Sequence, residues 1–270
     1  MTKDSREGRR IGQFVATKEH RRFVEFADAV RRDRYIGLCY GPAGVGKTLS
    51  ARRYARWETA EHLLETWGPR ADSDAAVCAA LARARTVFYT PTVKVTLREL
   101  DAELKRLTKR VDACVDQHVG ADRRVQGVEL LIVDEAERLS PLALEHLRDR
   151  FDRVSLGLIL IGMPGIEKRL ARYPQLYSRI GFAHHYRPLG EEELGFVLTR
   201  HWRKLGLTLD ATEFTDAQAI AAVARITGGN FRLLQRLFVQ IERILRINEL
   251  SAITSDVVES ARSTLVIGAT

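Results

Sequence analysis

Two short stretches of this chain have the residue types and spacing to handle phosphate. The first is Gly41-Pro42-Ala43-Gly44-Val45-Gly46-Lys47-Thr48, which fits G-x-x-x-x-G-K-[ST] and is followed by Leu49. Glycines there let consecutive backbone N–H groups turn inward without Cβ clashes. With the N-terminus of a following helix, those donors make a nest for phosphate oxygens. In that arrangement Lys47 reaches the β- and γ-phosphates of a nucleotide, and Thr48 offers its hydroxyl to Mg²⁺. The second stretch is Leu130-Leu131-Ile132-Val133-Asp134-Glu135, two acids at the tip of a very apolar run. Asp134 there is placed to hold Mg²⁺ through water, and Glu135 to polarise the water that attacks a γ-phosphate.

Such groups need rigid elements behind them. The apolar run 35–40 reads as a buried strand entering the glycine-rich turn, and the pattern from Lys47 to about Leu64 is helical. Further strands are expected at 86–90, 128–133, 156–161 and 182–186, with helical segments between them. Residues 68–76 read as a loop. Continuous apolar strands alternating with helices predict an α/β fold: a parallel five-stranded sheet between helices. After Leu189 the strands stop, and helices are expected at 190–205, 214–227, 230–247 and 255–265. Thr17 is placed to start a helix that ends near Arg34; Thr215-Asp216-Ala217-Gln218 matches a capping box, and Gly228 is placed to end its helix. The expected division is an α/β domain over 1–188, opened by a basic arm over 1–13, and a small all-helical lid over 189–270.

Composition narrows the class. The 270 residues are 45% hydrophobic, carry a net charge of +8, and show neither a secretory leader nor a membrane span; a cytoplasmic protein without membrane partners is expected. The positive charge points toward a polyanionic partner. Cys39, Cys78 and Cys114 have no metal-ligand spacing and read as reduced structural thiols. His184 and His185 are neighbours on a strand, so they point to opposite faces and cannot share a metal. Trp57, Trp67 and Trp202 are scattered and read as packing residues, as do Tyr173 and Tyr177.

With the glycine loop, the "DEAERL" motif and a helical tail in place, the chain resembles the AAA+ ATPases over nearly its full length. The guanine-reading N-K-x-D pattern is absent, which favours ATP. The resemblance implies two more functional positions. Arg179, in "YPQLYSRIGF", matches the finger that projects into a neighbouring subunit's ATP, with Arg172 as the weaker candidate. Arg232, in "TGGNFRLLQRL", matches the lid sensor that touches the γ-phosphate. One position departs: where the family places a polar sensor after the fourth strand, this chain has Met163, at best a weak acceptor. Slow, partner-dependent hydrolysis is therefore expected.

Within that class, "LLIVDEAERLSPLALEHLRDRFD" and "LGLILIGMPGIEKRL", followed by a short lid, are similar to the transposition regulators of the MuB, TnsC, TniB and IstB kind. That resemblance implies an ATP-loaded ring or helical filament on duplex target DNA, which recruits and activates a DDE transposase. The residues add a possible contact. On the helix starting near Leu97, an apolar stripe runs through Leu97, Leu100, Leu104, Leu107, Val111 and Cys114, while Arg98, Lys105 and Lys109 fall opposite it with Arg106 nearby. Arg123 and Arg124 would extend this ridge toward a phosphate backbone, read by charge rather than base edges. Asp101, Asp112 and Asp116 lie toward the same face, so a solvated outer face is the competing reading. A helicase loader or initiator-like ATPase, and a non-catalytic ATP switch, are the alternative functions; ATP-dependent filaments on DNA would exclude the switch.

Overall fold

Five short apolar runs pair into one sheet. The computed structural model describes residues 14–68, 71–119 and 127–265. The strands are β1 (Ile36–Tyr40), β2 (Thr86–Tyr89), β3 (Leu130–Val133), β4 (Gly157–Gly162) and β5 (Ile180–His185), in the order β2-β3-β4-β1-β5. Every neighbouring pair is parallel, as the run of apolar strands predicts. β2, β3 and β4 are buried throughout, whereas β5 is a largely exposed edge on which Phe182 meets Tyr35 edge-on. Residue Tyr40 pairs with Gly162, and Val133 with Leu160, so β1, β3 and β4 end side by side. Ligands of parallel sheets collect at this carboxyl edge.

Helices cover both faces. α1 (Lys18–Asp33) starts at Thr17, whose hydroxyl accepts from His20 N–H, and buries Phe23, Phe26 and Val30. The expected continuous helix after the glycine loop is in fact two, α2 (Lys47–Tyr54) and α3 (Trp57–Thr66), because Arg56 adopts a left-handed backbone at φ 56°. The expected loop at 68–76 holds a 3₁₀ turn, Asp72–Asp74, that runs into an unforeseen alanine-rich helix, α4 (Ala75–Ala84). α4 packs on α5 (Leu97–Val119), where the Sγ atoms of Cys78 and Cys114 lie 3.2 Å apart; all three cysteines are buried and outside any disulfide. The α5 stripe is buried at Leu100, Leu104, Leu107, Val111 and Cys114 as its spacing predicts, while Leu97, in the first turn, is only half-buried. α6 (Pro141–Arg153), capped by Ser140, precedes β4. The short helices α7 (Ile166–Leu170) and α8 (Pro174–Tyr177) lead to β5. Tyr173 packs on the core, but Tyr177, expected to pack, is exposed.

The C-terminal helices are α9 (Glu191–Lys204), α10 (Phe214–Thr227), α11 (Phe231–Ile247) and α12 (Ser255–Ser263). They bury a core of their own around Trp202, Leu234, Phe238, Ile241 and Val258, separate from the one that surrounds the sheet. The capping box at Thr215 is not used. α10 begins earlier, at Phe214 with Glu213 as its N-cap, because Asp210 already turns the chain by accepting from the N–H and hydroxyl of Thr212, and Asp216 reaches back to Asp210 N–H. Gly228, at φ 52°, ends α10 as expected. His184 stacks on Phe26 and His185 on Tyr40, so the two rings face opposite ways, and no cluster of three or more His, Cys, Asp or Glu side chains placed for a metal occurs among the described residues. Trp57 and Trp202 are buried, and Trp67 lies beneath the guanidinium of Arg110. The arm at 1–13 and the pair Arg123 and Arg124 lie outside the described residues. No described helix is long and apolar enough to cross a membrane.

Candidate active site

A cavity of about 290 Å³ opens at the carboxyl edge of the sheet, walled by the glycine loop, the ends of β3 and β4, and the start of α11. Its lining includes Ala43, Gly44, Gly46, Lys47, Thr48 and Leu49. Gly44 and Gly46 take φ values of 80° and 113°, which side-chain-bearing residues rarely adopt, and Gly46 caps α2. Gly41, Pro42 and Val45 are not part of the cavity lining, and Val45 is buried in the core. The Lys47 ammonium is folded back on its own loop, donating to Gly41 O at 2.6 Å and Pro42 O at 2.8 Å. Burial pulls its pKa below the ordinary lysine value, while the nearby carboxylates of Asp134 and Glu137 oppose that shift.

Thr48 Oγ1 donates to Asp134 Oδ2 at 2.7 Å, so the two residues expected to share a metal meet although they are 86 positions apart. Burial raises the Asp134 pKa, and its hydrogen bonds from Thr48 and Glu135 N–H work against that rise. A hydroxyl and a buried carboxylate are hard oxygen donors, which suits Mg²⁺. The next residue, Glu135, has a left-handed backbone at φ 48° and forms an ion pair with Arg138. Arg138 in turn donates to Pro91 O, just beyond β2. Strained backbone of this kind is characteristic of sites that must aim a side chain. Met163, at the end of β4, lines the cavity and is 39% exposed, so the wall carries a thioether where the resemblance calls for a polar sensor.

The C-terminal helices reach the cavity through α11. Asn230 caps that helix by accepting from the N–H groups of Arg232 and Leu233, and its Nδ2 donates to Ala43 O at 2.7 Å. Arg232 N–H donates to Gly44 O at 3.0 Å, and the Arg232 and Gln235 side chains face the cavity one turn apart. Sequence reasoning found Arg232 but missed Asn230, Gln235, Arg138 and Glu137. The one available signal was an asparagine directly after two glycines, a helix cap.

Arg179 does not line the cavity of its own chain. It lies between α8 and β5 and forms a two-pronged ion pair with Asp152 of α6, at 2.6 and 2.9 Å. Arg172 is exposed nearby. On α5 the expected basic ridge is divided. Lys105 pairs with Asp101 at 2.7 Å, and Arg106 pairs with Glu103 and donates to Leu64 O. Arg98 and Lys109 are exposed and make no ion pair among the described residues.

A phosphate loop, an acid pair at the tip of the next strand but one in space, a parallel five-stranded sheet and a helical lid together define a P-loop ATPase fold of the AAA+ class. The AAA domain pattern matches residues 30–170, and the chain belongs to that family. It is 44% identical over 266 residues to a "potential ATP-binding protein" of Staphylococcus aureus, covering 94% of this chain and 97% of that one. It is 26% identical over 231 residues to the Mu-like prophage FluMu DNA transposition protein B of Haemophilus influenzae, covering 83% and 71% of the two chains. Among solved structures, the Thermotoga maritima RuvB Holliday junction branch migration motor superposes with a TM-score of 0.58 at 18% identity, over 92% of this chain and 69% of that one. The Aeropyrum pernix ORC2 protein gives 0.52 at 14%, over 92% and 67%. At these identities the two structures speak to fold alone.

Proposed function

We propose that this chain is an ATP-hydrolysing regulator of DNA transposition, which assembles on duplex DNA when loaded with ATP and there recruits a transposase. The nucleotide half of the reading is carried by one observation: Lys47, Thr48 and Asp134 converge on a cavity that the lid closes. The transposition half leans on the kinship with transposition protein B. The body is residues 1–188 and the lid 189–270, a division that the two separate hydrophobic cores support. Thr48 and Asp134 would hold Mg²⁺, which supplies charge neutralisation at the outer phosphates. Lys47 binds those phosphates, Arg232 reaches them from the lid, and Glu135 takes the proton of the attacking water once it leaves Arg138. Arg179 serves the site of an adjacent subunit, so turnover requires assembly.

The deciding experiment is microscopy of the protein with an ATP analogue and duplex DNA. Rings or helical filaments are expected; lone particles under saturating conditions would sink the reading. Glu135→Gln is expected to keep ATP affinity, slow turnover by about 100-fold, the lower range for a general base, and lengthen the life of the DNA-bound form. This is checked by steady-state phosphate release and by dissociation from labelled duplex. Normal turnover in Glu135→Gln would remove Glu135 as the base.

DNA affinity is expected to fall steeply with salt, because each phosphate contact releases counterions. Lys105 and Arg106 are already paired with acids, whereas Arg98 and Lys109 have no ion pair among the described residues. The double variant Arg98→Ala/Lys109→Ala should therefore lower the slope of log affinity against log salt by about two, and Lys105→Ala by less than one. Equal slopes in all variants would take α5 off the DNA.

A further inference from the structure

Glu137 sits two residues past Glu135, in the 3₁₀ turn Ala136–Arg138 that follows β3. Its side chain lines the cavity with Lys47, Asp134, Gly162 and Met163. Its Oε2 is shut off from solvent and has no hydrogen-bond partner among the described residues. A buried carboxylate oxygen left in that state costs more than an ordinary lost hydrogen bond, so it marks a position where a partner arrives.

The surroundings say where that partner sits. Oε2 lies 2.9 Å from the point a Cβ on Gly162 would occupy, so this carboxylate fills the space left by the missing side chain at the last residue of β4. Met163, next in the chain, offers only a thioether to the same cavity. Glu135, the other acid near the mouth, is held by Arg138. The turn itself is pinned, since Arg169 of α7 donates to both Glu137 O and Leu139 O. The backbone that carries this acceptor is thus fixed beside the end of β4, in the part of the wall where Met163 supplies none.

We propose that Glu137 is the positioning residue for the attacking water: when nucleotide is bound its side chain turns from the closed space beside Gly162 into the cavity, and Oε2 accepts a hydrogen bond from the water on the β4 side while Glu135 takes the proton that leaves. The atoms balance simply, since the water oxygen bonds to the γ-phosphorus, the bridging oxygen leaves with ADP, Glu135 carries away one proton, and Glu137 only orients. This rests on the reading of the cavity as an ATP-hydrolysing site. It also implies a second effect. A carboxylate beside Lys47 repels the terminal phosphate, so removing it should favour ATP over ADP in binding.

The test uses the full chain with duplex DNA, and the variants Glu137→Ala, Glu137→Gln and Glu137→Ala/Met163→Asn. Glu137→Ala is expected to cut kcat by about 100-fold, the penalty for a misplaced reactant, with KM changed by less than about threefold. Glu137→Gln keeps an acceptor oxygen and should retain at least about a tenth of the parent kcat. Asparagine at position 163 in the Glu137→Ala background supplies an amide oxygen from the neighbouring wall and should recover most of the loss. A merely structural glutamate would not be rescued from β4. Turnover of Glu137→Ala within about threefold of the parent, or a loss that Met163→Asn leaves untouched, overturns the proposal. A parent protein that binds ATP without hydrolysing it would overturn the hydrolytic reading instead. In that case equilibrium binding of fluorescent ATP and ADP judges the repulsion: an unchanged ATP-to-ADP preference in both Glu137→Ala and Glu137→Gln would remove Glu137 from the site altogether.

Discussion

Lys47→Ala is expected to hold ATP at least about 100-fold more weakly than the parent, a loss of about 2.7 kcal/mol, with the fold unchanged. In the structure the ammonium satisfies itself on Gly41 O and Pro42 O. Bound phosphates would take over those bonds with charge-assisted ones, roughly twice as strong as neutral pairs. An alanine leaves the phosphate charge inside a buried wall that also holds Asp134 and Glu137, with Arg232 as the remaining lining cation. Repulsion from the two carboxylates then goes largely unopposed. Titration with a fluorescent ATP analogue measures the loss, and circular dichroism with a thermal melt checks the fold. Affinity within about threefold of the parent would mean that Lys47 does not reach the phosphates.

Arg179→Ala is expected to keep ATP binding and lose about 1000-fold in turnover, the lower range for an arginine finger. The structure gives this prediction a sharper form. Arg179 is tied to Asp152 and lies off its own cavity, so it acts on another subunit or on none. Mixing Lys47→Ala protein, which has the finger but no nucleotide, with Arg179→Ala protein, which has nucleotide but no finger, should restore activity at the mixed interfaces. Two inactive proteins that stay inactive together on DNA would refute a finger supplied in trans. The bond to Asp152 must break before the arginine can reach a neighbour. Asp152→Asn should therefore raise turnover at low protein concentration, where assembly is limiting.

The phosphate loop and the Asp134-Glu135 pair were legible because each is a continuous run whose neighbours, an apolar strand before and a turn or helix after, are written next to it. The sheet was legible for the same reason: β1 to β4 are almost wholly apolar, and their ends fell within a residue or two of the reading. What escaped depends on partners far apart in the chain. Asn230 meets Ala43 across 187 positions, and Arg179 meets Asp152 across 27. The break at Arg56 turns on a left-handed arginine that no propensity marks, and α4 was hidden because its alanines carry little periodic contrast. Thr215 shows the opposite failure. Its motif is present, but the turn built by Asp210 had already started the helix. On α5 the residue types were visible, while the division into neutralised and unpaired cations was a matter of rotamers.

The grip of the lid on the glycine loop has a mechanical side. Asn230 and Arg232 bond to the carbonyls of Ala43 and Gly44, which leaves the amide hydrogens of the loop to any bound anion. Opposite ends of the same flat peptide units thus serve two clients. When a phosphate draws an N–H toward itself, the rigid unit must tilt, and its oxygen drags the first turn of α11 along. The C-terminal bundle, swung on a lever one peptide wide, would then register whether the nucleotide ends in two phosphates or three.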